Sequence, residues 1–438
     1  MAMVKKVFLL GLVLGFAVGM VFAGGKQEKA AAGMAEGTVD FWHEWTSGKV
    51  KENLDKINAL FIKTYPEIKF KDRPIAGGRY EVQRQLGVAF MGGDPPELFN
   101  LIPGYQTKRF SDAGRLEPIT DVWRNIKGDE IFPKGTASTL VFDGEAWGIP
   151  LGIWALNAVW YNVEVFNKYG LKTPTNWDDL RNVDKVLTAN GVAPFTGGIG
   201  GAWCLYAFYP FIISVLGPEG YLALGGGEIS WESEEMKKAF SLYKEIWVDN
   251  LIDGWSGNSW TDGIPALQDG KAAMYWCMGS WAAGQLASQG MEPEKQFDYF
   301  LAPGTRNALI GHCDTVSMLK GGDAPRGAKK YLEFLASVEA QELWTEGQGI
   351  AFNVNVPASH YSTLEAKLFE HLQKSDTIFL PNLLFLITPD IYTSSKQELE
   401  RYAIEPTAKV LGESIATLEG IRMRDFLSGA NVKWEWKK

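Results

Sequence analysis

Cysteine and histidine are scarce in this sequence, positive charge is not in excess, and each shortage removes a class of function. Its three cysteines, Cys204, Cys277 and Cys313, lie far apart and form no Cys-x-x-Cys pair, so neither a disulfide scaffold nor a thiolate zinc site is encoded. They read as small buried apolar residues, although an oxidising compartment would allow one bridge and a spare thiol. Four histidines (His43, His312, His360, His371) fit neither HExxH nor another zinc spacing. With 43 Lys and Arg against 52 Asp and Glu, the net charge of −9 argues against nucleic acid as a partner. No Walker loop occurs, and Gly197–Gly201 lacks the order of a dinucleotide-binding turn. Beyond the N-terminus, no segment reads as long and apolar enough to cross a bilayer.

What is present begins with a processing signal. Lys5 and Lys6 precede the apolar run Val7–Phe22, and Val21-Phe22-Ala23 offers small residues to a signal peptidase. Cleavage is expected after Ala23, making 1–23 a signal peptide and 24–37 a flexible leader rich in Gly, Ala, Lys and Glu. No cysteine stands near the cut, so lipid attachment there is not expected. From Val39 the chain alternates short buried runs with helical periodicity. Val39, Phe41 and Trp42 suggest a strand, and Val50, Leu54, Ile57 and Phe61 recur at helical spacing until Tyr65-Pro66. Ile68 and Phe70 suggest a second strand, Tyr80–Met91 a helix, and Glu97–Ile102 a third strand. This βαβαβ rhythm predicts an α/β fold with a largely parallel sheet. Later segments show Thr175–Asp178 as a capping box, Ser233 as a helix cap, and helices over 325–336 and 337–346.

Several stretches then match, in order, a known pattern. They are FIKTYPEIKF, MGGDPPELF, the run Asp143–Leu180 with its aromatic strand Trp160-Tyr161-Asn162, DGKAAMYWCMGSW over Asp269–Trp281, and the segment Phe297–Met318. Together they resemble the family 1 extracellular solute-binding proteins, the sugar-capturing components of ABC importers. The resemblance implies a two-lobe periplasmic-binding-protein-like fold (type II), with a ligand cleft between lobes joined by hinge crossovers. It places the first lobe at 38–150 and 305–345, and the second at 151–304 and 346–438.

The sequence holds 17 tryptophans, and Trp42, Trp45, Trp154, Trp203, Trp255, Trp260, Trp276 and Trp281 stand where loops should leave strands. Ligands of parallel sheets bind at strand carboxyl ends. A flat aromatic covers the C–H face of a sugar, while polar groups fix its hydroxyl rim. The resemblance implies ligand contacts at Glu44 and Trp45 after the first strand and at Asn100 and Arg109 after the third, while alternation puts Trp42 in the core. Trp281 in Gly279-Ser280-Trp281 matches a family Gly-x-Trp at a helix start, and Trp203 and Tyr206 follow a glycine-rich turn. Trp154 stands near a position that is often acidic in maltose-type relatives, which argues against a maltose-like hydroxyl pattern. Asp314 is a candidate hydrogen-bonder on a returning strand. His312, Cys313 and Asp314 do not spell a nucleophilic triad, because adjacent strand residues point to opposite faces.

The expectation is an exported, monomeric binder of a sugar or oligosaccharide that delivers it to ABC permease subunits. It needs no cofactor, metal or catalytic residue, and it works in the periplasm or outside the cell. The alternatives are a binder of another solute such as a polyamine, peptide or metal chelate, a secreted carbohydrate-active enzyme, and a sensor that reports occupancy to a membrane receptor.

Overall fold

The computed structural model describes residues 37–198, 203–259, 261–276, 279–305 and 307–435, the Tyr80 side chain excepted. The signal peptide and all of the leader but Gly37 lie outside the described residues, as do Trp260 and Cys277. Among the described residues, twelve strands run β1 Val39–His43, β2 Phe70–Pro74, β3 Leu98–Leu101, β4 Val141–Phe142, β5 Glu145–Ala146, β6 Ile149–Ala155, β7 Ala158–Asn162, β8 Ala193–Thr196, β9 Ala272–Tyr275, β10 Phe297–Leu301, β11 Ala308–Met318 and β12 Ile378–Pro381. They form two main sheets. The first has the order β12-β11-β3-β1-β2, with β6 also on β11; the second is β10-β7-β9-β8. β1 lies parallel to both β2 and β3, as the βαβαβ rhythm predicts.

Alternation along β1 shows how sequence builds this layer. Val39 and Phe41 enter one apolar core with Leu54, Ile57 and Phe61 of the helix Gly48–Thr64. Trp42 turns to the other face and packs with Val82 and Leu86 of the helix Gly78–Gly92. A separate and larger core fills the second half around the helices Trp203–Gly225 and Glu234–Ile246. The helix Trp203–Gly225 is, by length and composition, apolar enough to cross a membrane, contrary to the sequence expectation. Its apolarity has another outlet, since most of its residues are buried in this core and it kinks at Gly217.

Three crossovers join the halves: β6 to β7, β10 to β11, and the chain after β12. Asn157 sits fully buried in the first and braces it against the second. Its Nδ2 donates to the Ala308 carbonyl at 2.9 Å, its Oδ1 accepts from Ile310 N at 3.1 Å, and its own carbonyl accepts from Ala302 N at 2.8 Å. Two expected boundaries move. β6 carries the first half to Ala155 rather than 150. Within residues 346–381, expected in the second lobe, Ile350, Phe352, Leu368 and Phe379 enter the first core and β12 pairs with β11, while Leu364 and Leu380 enter the second. The third crossover therefore follows the short strand Ile378–Pro381, which at four residues is invisible to periodicity.

The helix Trp177–Ala189 is capped one residue later than expected: Asn176 accepts from Asp179 N, and the Asp179 carboxylate reaches back to Thr175. Ser233 caps as expected, whereas Ser47 stands at the N-cap without a side-chain bond. Buried Asp184 on the Trp177–Ala189 helix has an unpartnered Oδ1, and burial pushes its carboxyl up to about 8. Its folded value thus exceeds its unfolded one, so its favourable contribution is complete below about pH 4 and is lost as pH rises towards 8. Asp184→Asn is expected to stabilise the fold by about 3 kcal/mol at pH 7 and by almost nothing at pH 4. Urea melts at both values test this, and an equal effect at the two pH values would refute it.

Candidate ligand-binding site

The carboxyl ends of β1 and β2, with β3 and β11 beside them, bring four polar side chains together. Glu44 follows β1, Asn100 lies within β3 rather than after it, and Asp314 lies on β11. The fourth is Arg79, at the start of the helix Gly78–Gly92. It reaches the group through a tight turn in which Gly77 and Gly78 both have positive φ (103° and 74°). A side chain at Gly77 would bring a Cβ within 2.9 Å of Glu81 Cβ, so the turn requires glycine there. Arg79 Nη2 donates to Glu44 Oε1 and, at 2.7 Å, to Asp314 Oδ1. Asn100 and Glu44 bond reciprocally at 3.2 Å, backbone N–H to Oδ1 and Nδ2 to Oε1. Burial pushes the Asp314 carboxyl up, while Arg79 and a hydrogen bond from Trp45 hold it back. The group is a preorganised, charge-assisted network that leaves acceptor capacity for a ligand.

The second half supplies aromatic surface. Half-buried Trp203 and Trp281 lie 5.9 Å apart between ring centroids, with Tyr206 at 5.8 Å and 6.4 Å from them. Trp203 and Tyr206 open the helix Trp203–Gly225, and Trp281 caps the helix Ala282–Ser288. Gly279, at φ 64°, turns the chain so closely that a Cβ there would stand 2.5 Å from the Trp281 ring. Its carbonyl accepts from Trp160 Nε1 at 2.9 Å.

Two polar links tie these aromatics to the crossovers. Ser280 N donates to the Ala155 carbonyl at 2.7 Å and Ser280 Oγ accepts from Ala155 N at 2.9 Å, pinning the Trp281 turn to the last residue of β6. Next to it, Trp154 packs against His312 of β11 at 6.3 Å. At the third crossover, fully buried Asn382 accepts from Tyr209 Oη at 2.8 Å and holds its Nδ2 3.3 Å from His312 Nδ1. The Tyr206 hydroxyl also reaches Asn382 and Tyr392. Burial, helped by the nearby Arg79 charge, drives His312 down to about 3, so it stands neutral beside the carboxylates at ordinary pH.

The carboxylate–guanidinium–amide set on one half is linked through the connecting strands to the aromatic trio on the other. A model of the bacterial extracellular solute-binding protein family matches residues 47–342. The chain belongs to this family. Among relatives, it is 29% identical to an ABC transporter extracellular-binding protein of Pyrococcus horikoshii, over 79% of this chain and 78% of that one. It is 26% identical to a Brucella melitensis protein named "probable sugar-binding periplasmic protein", over 72% and 73%. Among solved structures, it superposes with a TM-score of 0.78 on the bacterial solute receptor AcbH, described as having an exclusive preference for β-D-galactopyranose. That match covers 89% of this chain and 99% of the receptor at 20% identity. Its neighbours are two-lobe solute-binding proteins, and the α/β two-lobe architecture expected from sequence is the one observed.

The nine candidate residues are placed unequally. Glu44, Asn100 and Asp314 converge in one half, and Trp203, Tyr206 and Trp281 in the other. Trp154 lies at the seam. Trp45 is near the group but offers no open face: it is 8% exposed, stacked on His43 and edge-on to Trp344 at 4.8 Å. Its contribution is the N–H it gives Asp314. Arg109 is not brought in. It is exposed on the helix Tyr105–Asp112, and its charge acts on Tyr105 together with Asp390 and Asp425, not on Asp314. The sequence reading placed it in the loop after the third strand, whereas it lies on the helix Tyr105–Asp112. Trp42, Trp255 and Trp276 are core residues.

Cys313 is buried in the first core and its thiol is pushed well up, while His312 is half-buried on the other side of β11. The alternation argument against a triad therefore agrees with the geometry. Cys204 and Cys313 are both free and buried. Glu97 has a structural task at the opposite end of β3, accepting from Asp40 N and Asp323 N at 2.7 and 2.9 Å. Arg79, His312 and Asn382 were missed in the sequence. Only Arg79 had a usable signal, the Gly77-Gly78 turn after a strand.

Proposed function

We propose that this protein captures a carbohydrate outside the cytoplasm and delivers it, chemically unchanged, to the permease of an ABC importer. The carrying observation is a half-buried Trp203–Trp281 pair, backed by buried Tyr206, on one half and the Glu44–Arg79–Asp314–Asn100 network on the other. Aromatic faces take the C–H side of a pyranose, and charge-assisted acceptors and donors take its hydroxyls. The sugar-binding description of the Brucella relative and the galactopyranose preference of AcbH support the same ligand class. The protein is exported by a signal peptide cleaved after Ala23, acts as a monomer, and makes or breaks no bond in its ligand. Ligand touching both halves favours the closed state by its differential affinity alone, and shifting a 1:99 equilibrium to 99:1 takes about 5.5 kcal/mol.

A thermal-shift screen of mono- and oligosaccharides, polyamines and peptides tests this. A bound sugar at 100 times its Kd should stabilise the protein by about 2.7 kcal/mol and be recovered intact by chromatography. Stabilisation by a polyamine or peptide but by no sugar would refute the carbohydrate assignment. Recovery of a cleaved sugar would refute the non-catalytic one.

A further inference from the structure

The polar half of the site has an uneven charge balance. Two carboxylates, Glu44 and Asp314, surround one guanidinium, Arg79, a formal sum of −1. His312 adds nothing at ordinary pH, and the Trp203, Tyr206 and Trp281 side chains of the other half carry no charge. Both ion pairs use Arg79 Nη2, and Arg79 Nε is buried. Each bidentate edge of a guanidinium includes Nη2, so neither is open to grip a ligand carboxylate or phosphate. Glu44 Oε1 accepts from both Arg79 and Asn100, whereas Oε2 has no hydrogen-bond partner among the described residues. The Glu44 side chain is 19% exposed, which leaves that oxygen a free acceptor on a net-negative group.

Taking the ligand to be a carbohydrate, as argued above, we propose that this group selects uncharged saccharides through a hydroxyl donated to Glu44 Oε2. It rejects saccharides that carry a carboxylate or phosphate. A hydroxyl satisfies the free lone pairs. An anionic substituent supplies no proton and meets uncompensated negative charge in a partly desolvated site.

The test is calorimetric titration of the mature protein with matched pairs: D-galactose and D-galacturonate, D-glucose and D-glucuronate, and xylo-oligosaccharides with and without a glucuronate branch. Every neutral member should bind at least 10-fold more tightly than its acidic partner. In Glu44→Gln that ratio should shrink at least threefold, a change that a merely structural role of Glu44 would not produce. If that variant does not fold, the native ratio measured at low and at high salt serves instead, and it should narrow as salt rises. An acidic member binding as tightly as its neutral partner, or a ratio unmoved by both the variant and salt, overturns the charge selection alone. If no saccharide binds, neutral or acidic, the carbohydrate assignment itself falls and this selection falls with it.

Discussion

If the proposed site holds the ligand, Trp281→Ala should weaken saccharide binding by about 100-fold while leaving the apo protein folded, because a half-buried aromatic anchor is worth roughly 2–4 kcal/mol on truncation. The backbone of the turn does not depend on the ring. Ser280 holds it to Ala155 through two hydrogen bonds, and Gly279 supplies the reversal. The apo melting midpoint should therefore fall by only a few degrees. Trp255→Ala gives the contrast. That residue is 8% exposed within the second core, so its loss should cost about 3–5 kcal/mol of stability. Calorimetric titration and thermal melts of both variants separate the roles. A Trp281→Ala protein that keeps its affinity within a few-fold would remove this ring from the site.

Arg79→Met should damage both stability and binding, through the two carboxylates it leaves behind. Removing one partner of a buried ion pair costs about 3–5 kcal/mol, and here one cation serves two anions, one of them on a nearly buried residue. Burial already pushes Asp314 up, and Arg79 is the first of the two influences that lower it. Without Arg79 the folded value rises further above the unfolded one. The variant's contribution from this group is then complete below about pH 4 and lost as pH rises through the new folded value. Its deficit against the native protein should accordingly be smaller at pH 5 than at pH 7.5. A deficit that does not change with pH would mean that the cluster is not held by charge. Binding of any saccharide should fall along with stability at neutral pH, since Glu44 and Asp314 repel each other out of position.

The sequence made the layers legible and the site only in part. β1, β2 and β3 and the helices between them followed from simple periodicity, because each segment buries one face and says so in its spacing. Trp281 was readable because Gly279 marks a backbone position with little tolerance for a side chain. Asn100 and Asp314 were found as positions, but their partner was not. Arg79 lies 35 residues from Glu44 and 235 from Asp314 along the chain, and no local pattern encodes such distances. Trp45 and Arg109 were also named as positions, but neither joins the polar group with an open face. Sequence located each near a strand end, yet ring burial and helical phase decide whether a side chain meets a ligand. The strand Ile378–Pro381, expected in the second lobe, pairs with β11 for a related reason: four apolar residues do not say which of two sheets they join.

Asn157 has a mechanical consequence. By saturating its amide against Ala308 and Ile310, and its carbonyl with Ala302, it rivets two of the three connecting strands into one ply. Two strands fastened side by side bend readily across their width but resist sliding and torsion. Domain rotation should then follow a single arc, so that the indole rings and the carboxylates return to the same relative placement after every cycle of opening.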